Sequence, residues 1–104
     1  RAARLRLGSR LRRRDIDILL THSPARSVGD GDDLPHRGFR CYHPLVASLD
    51  PVLLVHGHVH PFGTRPDDRL IGERTTSMNV VGYCQFTIDP ATGAVAVGRR
   101  RYGA

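Results

Sequence analysis

The chain has 104 residues, of which 39% are apolar and 25% charged, and its net charge is +6. That length holds at most one small domain, burying roughly two-thirds of its unfolded surface on folding. The composition excludes a disordered polymer, and no apolar run approaches the roughly 20 residues that cross a bilayer, so a soluble globule is expected.

The charge is concentrated at one end. Residues 1–14 hold seven arginines and no acid, whereas the remainder carries nine arginines against ten acids. There is no lysine, and no aromatic side chain interleaves the basic run to stack bases. Nucleic acid is therefore not expected as the main partner, and a solvated helix face is the expected role. Met78 is the only methionine and the chain opens on Arg1 within a helical pattern. The expectation is a single partial domain over residues 1–104, with any targeting segment upstream. Cys41 and Cys84 fit no close-spaced metal motif and are expected as reduced thiols of a cytoplasmic protein.

In chain order, Ala3, Leu7 and Leu11 give residues 1–14 the apolar stripe of a helix, weakened by Gly8. Asp15 to Thr21 reads as a strand whose Ile-Leu-Leu end suits burial on both faces, and it runs into His22-Ser23-Pro24. Ser23 to Arg37 is a long loop rich in Pro, Gly and Asp, and its position beside His22 suggests that it faces substrate. Asp30, Asp32 and Asp33 lie in it, as solvated turn residues or as a lure for cations. Gly38 to Leu49 is a helix with Phe39, Tyr42, Val46 and Leu49 on one face, ended by Asp50-Pro51. Val52 to Val55 is the next strand, and Pro61 to Thr76 a second loop. Met78 to Val81 reads as a strand, and Cys84, Phe86 and Ile88 alternate as in a half-buried one. Asp89 to Gly93 is a turn, and Ala94 to Val97 returns, so the chain ends in an antiparallel hairpin of structural role.

Strand, helix, strand with buried-type runs at each end implies a right-handed parallel crossover. The two strands then become neighbours, which brings His22 close to the run His56-Gly57-His58-Val59-His60. In an extended chain alternate residues share a side, and Gly57 allows the backbone to bend. Imidazoles at strand ends suit divalent transition metals. From the residues alone, a lone three-His zinc hydrolase and ordinary satisfied histidines both stay open.

Thr21-His22-Ser23-Pro24 after one apolar strand, then Gly57-His58-Val59-His60 after another, resembles the calcineurin-like metallophosphoesterases. The resemblance spans about Asp15 to Gly82 and includes His36-Arg37-Gly38-Phe39 and Asn79-Val80-Val81-Gly82. It implies an α/β fold: the carboxyl-terminal part of an αββα sandwich, with a mixed sheet and a terminal hairpin. It also implies hydrolysis of phosphate mono- or diesters by two divalent ions, manganese, iron or zinc. His22 and His58 would bind one ion and His60 the other, and His56 would pack or support them. The family's earlier motifs, Asp-x-His, Gly-Asp-x-x-Asp and Gly-Asn-His, are not in place here. Gly29-Asp30-Gly31-Asp32-Asp33 matches the second by letter, but it follows the His-Ser-Pro strand and sits in mid-loop. Three neutral imidazoles leave two divalent charges uncompensated, so the chain alone is expected to bind metal weakly and hydrolyse little. The alternative from another class is a non-enzymatic fragment whose arginine segment binds nucleic acid or a protein.

Overall fold

Leu53 and Leu54 are adjacent in one strand, so they point to opposite faces, and both are fully buried. A strand buried on both sides needs a layer on each face, and the chain supplies one helix and one hairpin. The computed structural model describes residues 16–60, 68–89 and 91–102. Within them lie β1 (Ile18–Leu20), α1 (Tyr42–Leu49), β2 (Leu53–His56), β3 (Arg69–Ile71), β4 (Thr75–Asn79), β5 (Gly82–Ile88) and β6 (Val95–Tyr102). The expected helix over 1–14, and with it the whole arginine-rich segment, lies outside the described residues. No described helix is long and apolar enough to cross a membrane.

The fold is mixed α/β. One sheet runs β1-β2-β4-β3, with β1, β2 and β4 parallel and β3 antiparallel to β4. The pair β5-β6 forms a separate antiparallel hairpin. On one face Leu54 and Ile71 pack with Val46 of α1 and with Ala25. On the other, Val52, Leu53 and Met78 pack beneath Cys84, Phe86, Ile88 and Val95 of the hairpin. A bidentate pair from Arg100 to Asp68, at 2.8 and 3.0 Å, ties β6 to the residue just before β3. The chain's cysteines, Cys41 and Cys84, are both free.

Several expectations need correcting. β1 is not buried on both faces: it is an edge strand, with Ile18 40% and Leu20 76% exposed. Its register aligns Ile18 with Leu53 and Leu20 with Val55, the face that the hairpin covers over β2 and β4 but not over β1. The expected loop over 61–76 contains β3 and the start of β4, joined through a turn with Gly72 at φ +68°. That strand escapes the alternation rule because its buried positions Thr75, Ser77 and Asn79 are polar. The return strand is also longer than Ala94–Val97. It continues through Gly98 and the arginines to Tyr102, with a register shift between Cys84 and Phe86.

The helix starts at Tyr42, not Gly38, because Phe39 is committed elsewhere. Its N–H donates to Pro24 O at 3.0 Å and its carbonyl accepts from Arg26 N–H at 3.1 Å. These bonds hold 38–39 against 24–26 as a short parallel bridge. A Cβ at Gly38 would overlap the Ala25 carbonyl, so this approach requires glycine. Phe39 consequently leaves the helix's apolar face and stacks on Tyr42, 49% exposed. The other end is as expected: Asp50 adopts φ +49° and its N–H donates to Val46 O, after which Pro51 cannot continue a helix.

Core and edge should therefore respond differently to truncation. Leu54→Ala is expected to cost about 3–5 kcal/mol of unfolding free energy, and Leu20→Ala under about 0.5 kcal/mol. Urea midpoints at unchanged slope measure both.

Candidate metal centre

The parallel pairing of β1 and β2 does not stop where the strands do. Thr21 N–H donates to Val55 O at 2.9 Å, and Gly57 N–H donates to His22 O at 3.0 Å. The segment after β1 therefore stays zipped to the segment after β2, which places His22 beside His58. His22 Nε2 and His58 Nδ1 lie 3.1 Å apart, with ring centroids at 4.6 Å.

The bend that turns His58 toward His22 is carried by His58 itself. Its φ is +68°, whereas Gly57 is not in the left-handed region. Val59 N–H donates to Gly57 O at 2.7 Å across it, a three-residue turn of the strained hand. Holding a non-glycine residue there costs on the order of 1–3 kcal/mol, so the surroundings must compensate. Two contacts do: His58 Nε2 to Pro35 O at 2.7 Å, and Asn79 Nδ2 to Val59 O at 2.9 Å.

Those partners also fix the protons. A carbonyl only accepts, so His58 carries its proton on Nε2, and in the neutral ring Nδ1 is bare. His22 must then donate Nε2–H to it. An imidazole whose remote N–H is held by a backbone carbonyl and whose other nitrogen is open is the usual arrangement of a metal-binding histidine. Two nitrogens about 2.0–2.1 Å from a tetrahedral ion are separated by about 3.3–3.4 Å, close to the observed 3.1 Å. The spacing would suit one edge of a coordination shell, where an ion would have to displace the shared proton.

His60 stands exposed at the far end of the turn. Among the described residues no group of three His, Cys, Asp or Glu side chains gathers to hold a metal ion. The structure thus brings His22 and His58 together and leaves His60 apart. His56 points into the protein, 3% exposed, and its Nδ1–H donates to Gly57 O at 3.3 Å. Burial pushes its pKa below the ordinary 6.5, opposed in part by the Gly57 carbonyl and by Asp68.

The loop contributes a residue that the spacing argument did not single out. The 3-10 turn Leu34–His36 places the His36 ring, tilted by 31°, 5.2 Å from the His58 ring. His36 Nδ1–H donates to Asp33 Oδ2 at 2.6 Å, and this bond holds the Asp33 carboxyl below its usual 3.8. The sequence cue was Asp-x-x-His closed by Pro35, a turn that returns the imidazole to its own carboxylate. Asp30 is not an open lure for cations. Its side chain, 5% exposed, accepts from Gly38 N–H at 2.7 Å, Ser27 N–H at 3.0 Å and Arg26 at 2.6 Å. Burial pushes its pKa up, but the bonds from Gly38, Arg26 and Ser27 outweigh that and leave it below 3.8.

Two measurements probe these environments. Asp30→Ala strands three donors and should cost about 2–3 kcal/mol, read as a lowered urea midpoint and faster amide exchange at Gly38. His56 has a depressed pKa in the folded state, so the unfolded chain takes up its proton first. Stability should fall as pH drops below 6.5, and His56→Phe should flatten that slope in pH-dependent denaturation. Asp30, also depressed, adds a second loss only as pH falls toward and below 3.8.

Comparison with protein-family models, with curated proteins and with solved structures finds no match for this chain. The chemistry of the pair is therefore the ground for its function.

Proposed function

We propose that this chain is the carboxyl-terminal part of a metal-dependent phosphoesterase domain of the calcineurin-like kind. In this reading His22 and His58 bind one divalent ion and His60 binds a second, manganese, iron or zinc. The observation that carries it is the 3.1 Å approach of His22 Nε2 to His58 Nδ1 at the carboxyl ends of adjacent parallel strands. The order of the two motifs along the chain supports it, and so does the layering. A helix on one face of the sheet and a hairpin on the other suit one side of an αββα sandwich.

When bound, a pair of divalent ions polarises a phosphate ester, lowers the pKa of water and clamps an in-line displacement. The residues of this chain have separate tasks around it. Pro35 O holds the His58 Nε2 proton, so Nδ1 faces outward as a donor. His22 is held by its main chain to Gly57, which fixes its spacing from His58. His36, oriented by Asp33, keeps its Nε2 free to accept a proton beside His58. His56 fills the interior and has no part in ligation.

Neutral imidazoles alone do not hold two divalent ions close together, because their mutual repulsion calls for bridging and terminal carboxylates. None converges with His22 and His58 among the described residues. Hydrolysis in this reading therefore requires carboxylates supplied from outside them. A lone three-His zinc site is less well supported, since His60 does not join the pair.

The test compares the 104-residue chain with the same reading frame extended upstream of Arg1, measuring bound metal and hydrolysis of p-nitrophenyl phosphate and its diester. About two ions and activity are expected only in the extended form, with activity falling at least about 100-fold in His58→Ala/His60→Ala. An extended form without metal, or one indifferent to that double substitution, overturns the reading.

A further inference from the structure

The peptide group between His58 and His60 has one side-chain partner, and it comes from a different strand. Asn79 Nδ2–H donates to Val59 O at 2.9 Å. Asn79 ends β4, lies opposite His56 in the register and is 6% exposed. Its own main chain is held firmly. Val80 N–H donates to His56 O at 2.8 Å, and the Arg100 guanidinium donates to Asn79 O at 3.1 Å while gripping Asp68. The amide is therefore delivered to Val59 from a fixed point, not from a mobile loop.

What the amide gives up is equally informative. Asn79 Oδ1 is buried and has no hydrogen-bond partner among the described residues. Leaving a buried acceptor unmade is costly, and an apolar side chain of similar size would avoid that cost. The residue makes sense where its donor is needed. Val59 O accepts only, so the donor must be Nδ2, and the turn it grips is the one with His58 at φ +68°. Without that grip only the His58 Nε2 bond to Pro35 O opposes relaxation of the strained turn, and the spacing of the two imidazoles loosens.

We propose that Asn79 is the positioning residue of the His58-Val59-His60 turn, its Nδ2–H clamping Val59 O so that the two imidazoles keep a set spacing for divalent cations. The cation part rests on the phosphoesterase reading, whereas the clamp itself does not. Asn79 touches neither metal nor substrate in this role. It acts through the peptide carbonyl, in the way outer partners hold metal ligands elsewhere.

The experiment uses the full chain with Asn79→Leu and Asn79→Asp beside wild type. Metal-free, the ring nitrogen shifts of His22 and His58 and the amide exchange of Val59 are read by NMR. Zinc is then titrated in. Both variants are expected to lose the His58 Nε2–H signature and to exchange faster at Val59. Zinc affinity should fall about 10–100-fold, while hairpin signals from β5 and β6 stay unchanged. If the variants loosen the turn but wild type binds no zinc, the clamp stands and its cation part is overturned, while the phosphoesterase reading is decided by the upstream-extended form. Unchanged histidine shifts and unchanged zinc affinity overturn the proposal. Should both variants fail to fold, wild type alone decides it. A scalar coupling from the Asn79 side-chain nitrogen to the Val59 carbonyl carbon, with a slowly exchanging amide, upholds the clamp, and their absence overturns it.

Discussion

The site depends on two backbone hydrogen bonds that lie just past the ends of the strands. Parallel pairing of β1 with β2 brings the strands together, but Thr21 N–H to Val55 O and Gly57 N–H to His22 O carry the alignment into the turns. Residues 36 positions apart in sequence thereby come to hydrogen-bonding distance. Each bond is modest, of order 1 kcal/mol net, and what makes the alignment firm is the burial of Leu53 and Leu54 beneath opposite layers. A slip of one residue would turn those side chains to the wrong faces. Core packing therefore sets the register, and the register sets the distance between the two imidazoles.

The loop from Ser23 to Arg37 is the second constraint, and it is organised by charge more than by apolar burial. Asp30 gathers donors from three residues, and Gly38 lies against the Ala25 backbone because nothing larger fits. This closes the loop over the strand ends and puts Pro35 O within reach of His58. The same closure explains why the helix starts late. The Phe39 N–H is spent on Pro24 O, and its carbonyl is shared between Arg26 N–H and Tyr42 N–H, so the regular helix begins only at Tyr42.

Much of the layout was legible in the sequence for physical reasons that can be named. The apolar runs at 18–20 and 53–55 marked neighbouring parallel strands, and a helix between them required a crossover, so the approach of His22 to His58 followed from topology. Asp50-Pro51 announced the helix end, and Asp89 to Gly93 the hairpin turn. What stayed hidden had equally definite causes. Thr75, Ser77 and Asn79 are buried polar residues, so β4 showed no apolar alternation and its hairpin with β3 read as a loop. The exposure of β1 depends on how far the hairpin reaches across the sheet, a distance that no local pattern encodes. The bend at His58 was assigned to Gly57 by propensity, whereas tertiary contacts place it one residue later. His36 had no periodic signal at all, only a proline and an aspartate nearby.

An open strand edge such as that of β1 bears on association between molecules. Leu20 and Ile18 present an apolar surface, and among the described residues the outer rim of β1 faces no further strand. An uncapped rim of that kind accepts a foreign strand as readily as its own. Self-pairing through such an edge would make apparent melting points rise with protein concentration. A soluble strand mimetic, or a charged residue in place of Leu20, would remove that concentration dependence.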